Sequence, residues 1–144
     1  MFVLASAGIG AGLIIAATLV PVNGGGRGGY VVSIYDSSAP RQLQLFAAEP
    51  LGVGLIALGV VVLALIRGGP RGWMGGMLLA FGLQSSLLFL AYLGGATFGN
   101  AEYNSFRSGS LLGLAGAALL TLAGATIIVR RSRVSLSGSD SVRT

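Results

Sequence analysis

Residues 111–129 read LLGLAGAALLTLAGATIIV, a run whose two polar side chains are those of Thr121 and Thr126 and which has no charged one. A helix needs about 20 apolar residues to cross the hydrocarbon core of a bilayer, with a tolerated range of about 17–25. Arg130 and Arg131 follow the run directly, and positive charges of this kind are typical of the cytoplasmic end of a span. The stretch therefore predicts a transmembrane helix.

Three further apolar runs precede it, over residues 1–22, 50–66 and 73–95. The second run is short, and Pro50 suits the first position of a helix, where a missing N–H leaves no hydrogen bond unmade. We therefore expect this helix to begin at Pro50. Four such runs predict an all-α integral membrane protein, a four-transmembrane-helix bundle.

The composition agrees with a lipid environment. Hydrophobic residues make up 53% of the chain and charged residues 9%, whereas a soluble domain carries about 25% charged residues. So little charge cannot cover a globular surface in water. All nine positive charges are Arg, and Lys is absent. Together with the abundance of Gly and Ala, this usage favours a GC-rich, bacterial source.

The residue types exclude most catalytic chemistry. Cys and His are absent, which excludes disulfides, thiolate metal sites, His-ligated cofactors and Ser-His-Asp catalysis by this chain. The acids Asp36, Glu49, Glu102 and Asp140 lie outside the apolar runs, so the intramembrane acid of a pump is not expected. We expect a protein that is not an enzyme, with no catalytic residue, cofactor or metal ion. Nucleic acid is not an expected partner either, because the Arg residues are scattered over loops rather than gathered in one stripe.

The distribution of Arg predicts the orientation. The loop 67–72 and the tail 130–144 hold six Arg residues, and the two longer loops 23–49 and 96–110 hold three. The positive-inside rule places the first two segments in the cytoplasm. We expect a multi-pass protein of the plasma membrane with both termini cytoplasmic. A cleaved signal peptide is the alternative for residues 1–22, which lack the positively charged start that signals carry.

The first outer loop is expected to form a small extracytoplasmic β-hairpin over residues 30–46. Its first part, YVVSIY, is β-branched and aromatic, DSSAP is typical of a turn, and RQLQLF alternates polar and apolar residues; two such runs around a turn favour a hairpin. Its aromatic residues Tyr30, Tyr35 and Phe46 are predicted to contact a partner protein, because aromatic anchors are frequent at interfaces. The alternative is a hairpin that caps the bundle by packing on the loop 96–110. The Ser-rich tail 130–144 is expected to be disordered.

Small residues recur at helical spacing and predict helix packing, because close backbone approach supplies association energy in lipid. These faces either pack within the chain or dock on another membrane protein. The intramembrane polar residue Gln84 is predicted to form an interhelical hydrogen bond, and a substrate or lipid-headgroup contact is its alternative. The predicted packing residues are Gly8, Gly12, Gly82, Ser86, Gly113, Ala117, Thr121 and Ala125.

The leading functional hypothesis follows by exclusion. The chain would consist of a transmembrane domain over residues 1–129 and a cytoplasmic tail. It would be a non-catalytic accessory or assembly subunit of a larger respiratory, transport or cell-envelope complex, acting by helix packing and an outer-loop contact. Its partners would be other membrane protein subunits and the lipid bilayer. The alternative is a small oligomeric transporter of a lipid or solute.

Overall fold

The computed structural model describes residues 1–20, 23–25, 41–98, 104–106 and 108–140, with side chains described over 1–20, 48–91 and 109–133. Helices form nearly all of this part of the chain. The elements, in chain order, are α1 (Phe2–Leu19), β1 (Asn23–Gly25), α2 (Arg41–Ile66), α3 (Gly72–Phe98), β2 (Asn104–Phe106) and α4 (Ser108–Asp140).

All four helices contain a segment that is long and apolar enough to cross a membrane. These segments are Phe2–Leu19, Ala48–Ile66, Gly72–Ala91 and Gly109–Arg133. The shortest has 18 residues, which at about 1.5 Å per residue nearly matches the roughly 30 Å hydrocarbon core. The prediction of four helices that are long and apolar enough to cross a membrane is confirmed.

Helix α4 is the central element of the bundle. It packs extensively against both α3 and α1, and α1 also packs against α2, whereas α2 and α3 make far fewer contacts with each other. The bundle is therefore tight on three sides and loose where α2 meets α3. Alanines and larger apolar residues fill its core, including Ala7, Ala11, Ile14, Ala57, Leu78, Phe89, Ala117 and Leu120, all fully buried.

The β-hairpin predicted over residues 30–46 is not supported. Residues 41–46, its predicted second strand, form the first turns of α2, and residues 30–40 lie outside the described part of the chain. The alternation in RQLQLF covers too few residues to outweigh the high helix propensity of Arg, Gln and Leu. Pro50 consequently lies inside α2 rather than at its start, where it has no N–H to donate to the carbonyl of Phe46.

A short strand pairing joins the segment after α1 to the segment before α4. Strands β1 and β2 are antiparallel, with Gly24 opposite Ser105 and flanking pairs on each side. Within the described residues, this is the sole β-structure. It links the two loops that the Arg distribution assigns to the outer side.

The tail predicted to be disordered is helical as far as Asp140, because α4 continues without a break past Arg130; residues 141–144 lie outside the described part. Once a helix has formed, each further residue adds a hydrogen bond at little cost, and Arg is a good helix former. The Ser132 hydroxyl also donates to the carbonyl of Ile128 at 3.1 Å. The high Ser content favoured disorder and therefore did not predict that α4 extends to Asp140.

Candidate functional site

The predicted packing face of α4 lies against α3. Ala117 is fully buried, and a Cβ added to Gly82 of α3 would contact the Thr121 hydroxyl and lie 2.9 Å from the carbonyl oxygen of Ala117. A Cβ added to Gly113 would collide with the ring of Phe89. The structure thus brings Gly82, Gly113, Ala117 and Thr121 together at one interface within the chain.

The remaining predicted packing residues are more dispersed. Ala125 is half-buried on α4, and the Ser86 hydroxyl donates within its own helix to the carbonyl of Gly82 at 2.8 Å. Gly8 faces α2, where an added Cβ would lie 3.8 Å from Cγ1 of Val61. Gly12 is exposed, and an added Cβ would meet no described atom within 4 Å.

Further close helix approaches involve glycines that are not among the predicted packing residues. A Cβ added to Gly124 of α4 would lie 2.7 Å from the carbonyl oxygen of Gly75 of α3. A Cβ added to Gly54 of α2 would lie 2.7 Å from Cγ1 of Ile15 on α1. Gly10 of α1 and Gly116 of α4 also meet closely. The sequence pattern that could have identified them is a spacing of seven or eight residues, such as Gly116 to Gly124, which places two glycines on the same face of a helix two turns apart.

Gln84 finds a partner on α2. Its Nε2 donates to Oε1 of Glu49 at 2.8 Å, in an exposed position between α2 and α3. Both residues belong to the candidate membrane-spanning segments, although the sequence analysis predicted that Glu49 lies outside the apolar runs. A carboxyl and an amide thus face the surroundings at the loose side of the bundle, within the apolar part of the chain.

Glu49 belongs to an outward-facing stripe on α2 that we name the α2 outer face: Glu49, Gly52, Ile56 and Gly59. All four are exposed, and their spacing of three, four and three residues places them on one side of a helix. A Cβ added to Gly52 or Gly59 would meet no described atom within 4 Å. This face therefore combines a polar group, bonded to Gln84, with two glycines that have no neighbour at the Cβ position among the described residues.

A cavity of about 440 Å³ opens at the opposite end of the bundle, which we name the Arg-end cavity. Its wall includes apolar residues of α1, α2 and α4, together with Arg130 and Arg131. The guanidinium of Arg131 donates through Nη2 to the carbonyl of Pro70 at 3.4 Å. The loop beneath it turns through Gly68 and Gly69, with φ values of 72° and 154°, a backbone conformation that favours glycine.

Among the described residues, no group of three or more His, Cys, Asp or Glu side chains is placed to hold a metal ion. The predicted contact residues Tyr30 and Tyr35 lie outside the described part of the chain, and Phe46 is a residue of α2.

Comparison with known proteins found no matching family model, no matching curated protein and no matching solved structure. Function is therefore inferred from the chain's own residues.

Proposed function

We propose that this protein is a non-catalytic accessory or assembly subunit of a larger membrane protein complex, and that it docks through the α2 outer face. The observation that carries the proposal is the exposed hydrogen bond between Gln84 and Glu49 at 2.8 Å, on the same side of α2 as Gly52 and Gly59. In a membrane, polar groups and small residues are the two features that favour association between helices.

The polar pair supports a protein neighbour rather than lipid. A carboxyl and a primary amide together have more donors and acceptors than one hydrogen bond uses. Hydrocarbon cannot satisfy the rest, and an unsatisfied polar group there is costly. A transmembrane helix that presents Ser, Thr, Asn or Gln would complete the hydrogen bonding of Glu49 and Gln84.

The glycines support a close approach at the same place. Gly52 and Gly59 lie two turns apart, and neither has a described neighbour where a side chain would be. Inside the bundle, the chain uses glycine in the same way at Gly10 and Gly116, where two backbones meet. A partner helix crossing the α2 outer face would gain the same packing energy from backbone contact.

The orientation and the outer loop belong to the same proposal. The end that holds Arg67, Arg71 and Arg130 would be cytoplasmic, in the plasma membrane of a bacterium, by the positive-inside rule. The first outer loop, with Tyr30 and Tyr35, would contribute a second contact with the partner on the other side of the membrane.

An oligomeric transporter is the alternative use of the same pair, because an acid inside a span is a common part of ion pathways. Neither of the two described cavities includes Glu49 or Gln84. An exposed pair outside an enclosed pathway fits docking better than transport. The identity of the neighbour at α2 distinguishes the two functions.

The test places a photo-crosslinking residue at Ile56 and combines it with glycine variants. Gly52→Leu and Gly59→Leu fill the α2 outer face, and Gly76→Leu is the matched control, because Gly76 is exposed on α3 and also lacks neighbours. The proteins are extracted from membranes in mild detergent, and the adducts are identified by mass spectrometry. We expect one membrane protein to be crosslinked. The yield of this adduct should fall at least tenfold in Gly52→Leu and in Gly59→Leu and should be unchanged in Gly76→Leu.

Other outcomes contradict the proposal in distinguishable ways. A crosslink from position 56 to a second copy of this chain, in a homogeneous oligomer, would favour the transporter. Crosslinks to lipid alone, or an equal loss in the Gly76→Leu control, would show that the α2 outer face is not a docking surface.

A further inference from the structure

We propose that the Arg-end cavity binds one anionic phospholipid, with its phosphate held by Arg130 and Arg131 and the start of its acyl chains along the apolar wall. This inference is independent of the docking proposal, because the cavity is separate from the α2 outer face. The cavity has a volume of about 440 Å³, within the usual range of about 300–1,000 Å³ for small-molecule sites.

Positive charge is concentrated at this end, and no acidic side chain lies near it among the side chains that the structure describes. Arg67, Arg71, Arg130, Arg131 and Arg133 are all exposed there. Among residues with described side chains, the one acid is Glu49, which bonds Gln84. Glu49 lies 17 residues before the end of α2, which is about 25 Å along a helix. At that distance it cannot neutralise the Arg cluster.

The two cavity arginines have suitable geometry for a phosphate. Arg131 is held over the loop by its bond to the Pro70 carbonyl and by packing on Gly72, where an added Cβ would lie 3.4 Å from Cδ. That bond uses one of the five N–H donors of the guanidinium. The remaining donors of Arg131 and those of Arg130 provide the planar, forked arrangement that binds phosphate oxygens in pairs.

The apolar wall distinguishes a lipid from a free anion. Leu4, Ala64, Leu65 and Ile127 line the same cavity as the arginines. The adjoining ends of the spans, at Ile66, Gly72 and Arg133, place the cavity at the boundary between hydrocarbon and water. A phospholipid presents its phosphate to the arginines and its chains to the apolar wall at this depth. Basic pockets between membrane helices commonly bind anionic headgroups.

The test measures binding of three probes to the intact purified protein in neutral detergent, by native mass spectrometry and thermal unfolding. The probes are phosphatidylglycerol, phosphatidylcholine and inorganic phosphate. We expect one tightly bound phosphatidylglycerol with a raised unfolding temperature, and no effect of the other two at equal concentration. The double variant Arg130→Gln/Arg131→Gln should lose at least tenfold in affinity for phosphatidylglycerol.

Two further variants make the test specific. Arg67→Gln/Arg71→Gln removes the same charge from the same end, but neither residue lines the cavity, and it should retain nearly full affinity. Leu65→Trp leaves every Arg in place and narrows the cavity from a side chain that is 56% exposed, so it should weaken binding without disturbing the core. If the Arg130/Arg131 double variant does not fold, the affinity of Leu65→Trp for phosphatidylglycerol alone tests whether the lipid enters the cavity.

Three results would overturn the proposal. Equal losses in both arginine double variants would indicate diffuse attraction to the surface rather than a site. Equal stabilisation by inorganic phosphate would assign the cavity to a free anion. Unchanged affinity in Leu65→Trp would show that the lipid does not enter the cavity.

Discussion

Gly10 of α1 and Gly116 of α4 meet backbone to backbone in the bundle. A Cβ added to Gly10 would lie 2.8 Å from the carbonyl oxygen of Gly116, and one added to Gly116 would lie 2.6 Å from that of Gly10. Real Cβ atoms essentially never approach a neighbour this closely. The two helices can cross here only because neither residue has a side chain, which is how small residues strengthen helix packing in lipid.

Substitution at this crossing should destabilise the protein. We expect Gly10→Ala and Gly116→Ala each to lower the free energy of unfolding by about 1–3 kcal/mol, the usual cost of overpacking. Thermal unfolding in detergent measures the change. Gly12→Ala is the control on the same helix, since its added methyl meets no described atom within 4 Å. Equal sensitivity at Gly10 and Gly12 would contradict the crossing.

The contact between Gly113 and Phe89 predicts coupling between two substitutions. Gly113→Ala should destabilise the protein, because the new methyl would collide with the ring of Phe89. Phe89→Leu should relieve that collision, so the double variant should be more stable than the sum of the single effects by about 0.5–3 kcal/mol. A double-mutant cycle of unfolding free energies measures this coupling. Strict additivity would mean that the two residues do not touch.

At Ser85, in contrast, we expect a substitution to stabilise the protein. Its side chain is 2% exposed, and its hydroxyl oxygen has no hydrogen-bond partner within the described structure. A buried, unsatisfied hydroxyl is costly, so Ser85→Ala should raise the free energy of unfolding by about 1 kcal/mol. The neighbouring change Ser86→Ala removes the 2.8 Å bond to Gly82 and should bring no such gain. A loss of stability in Ser85→Ala would reveal a partner for this hydroxyl.

The proposed orientation predicts a labelling pattern. The chain contains no Cys, so a single introduced Cys is a unique label. Arg71 is exposed between α2 and α3, and Ser105 lies in β2 at the other end. In intact cells, a membrane-impermeant maleimide should label Ser105→Cys and should label Arg71→Cys only after permeabilisation. The reverse pattern would invert the protein in the membrane.

The spans were predictable from sequence because hydrophobicity over about 20 residues is a local property. The start of α2 was not, since a short alternating run and Pro50 both favoured a later start. Nor could spacing show which glycines face inward. Gly8 and Gly12 look alike in a helix that is apolar on every side, but one faces Val61 and the other faces outward. An amphipathic pattern would have distinguished them.

The partner of Gln84 illustrates the same limit at a site. A single amide in an apolar run predicts that a hydrogen bond is needed, and nothing more. The acceptor, Glu49, is 35 positions away and was placed outside the membrane because α2 was expected to begin at Pro50. The Arg-end cavity was equally hidden, because its walls come from three helices and a loop. The charge count indicated only which end was basic.

The central position of α4 has a consequence for biogenesis. As the ribosome delivers the chain from its N-terminus, α1, α2 and α3 enter the bilayer before the helix against which both α1 and α3 pack. Until translation reaches α4, Gly10 and Gly75 are without their partners Gly116 and Gly124, and the nascent protein is an open assembly with its glycine surfaces accessible to other membrane proteins. Between the synthesis of α3 and the insertion of α4, a chaperone or an insertase would therefore have the largest unpaired glycine surfaces to cover.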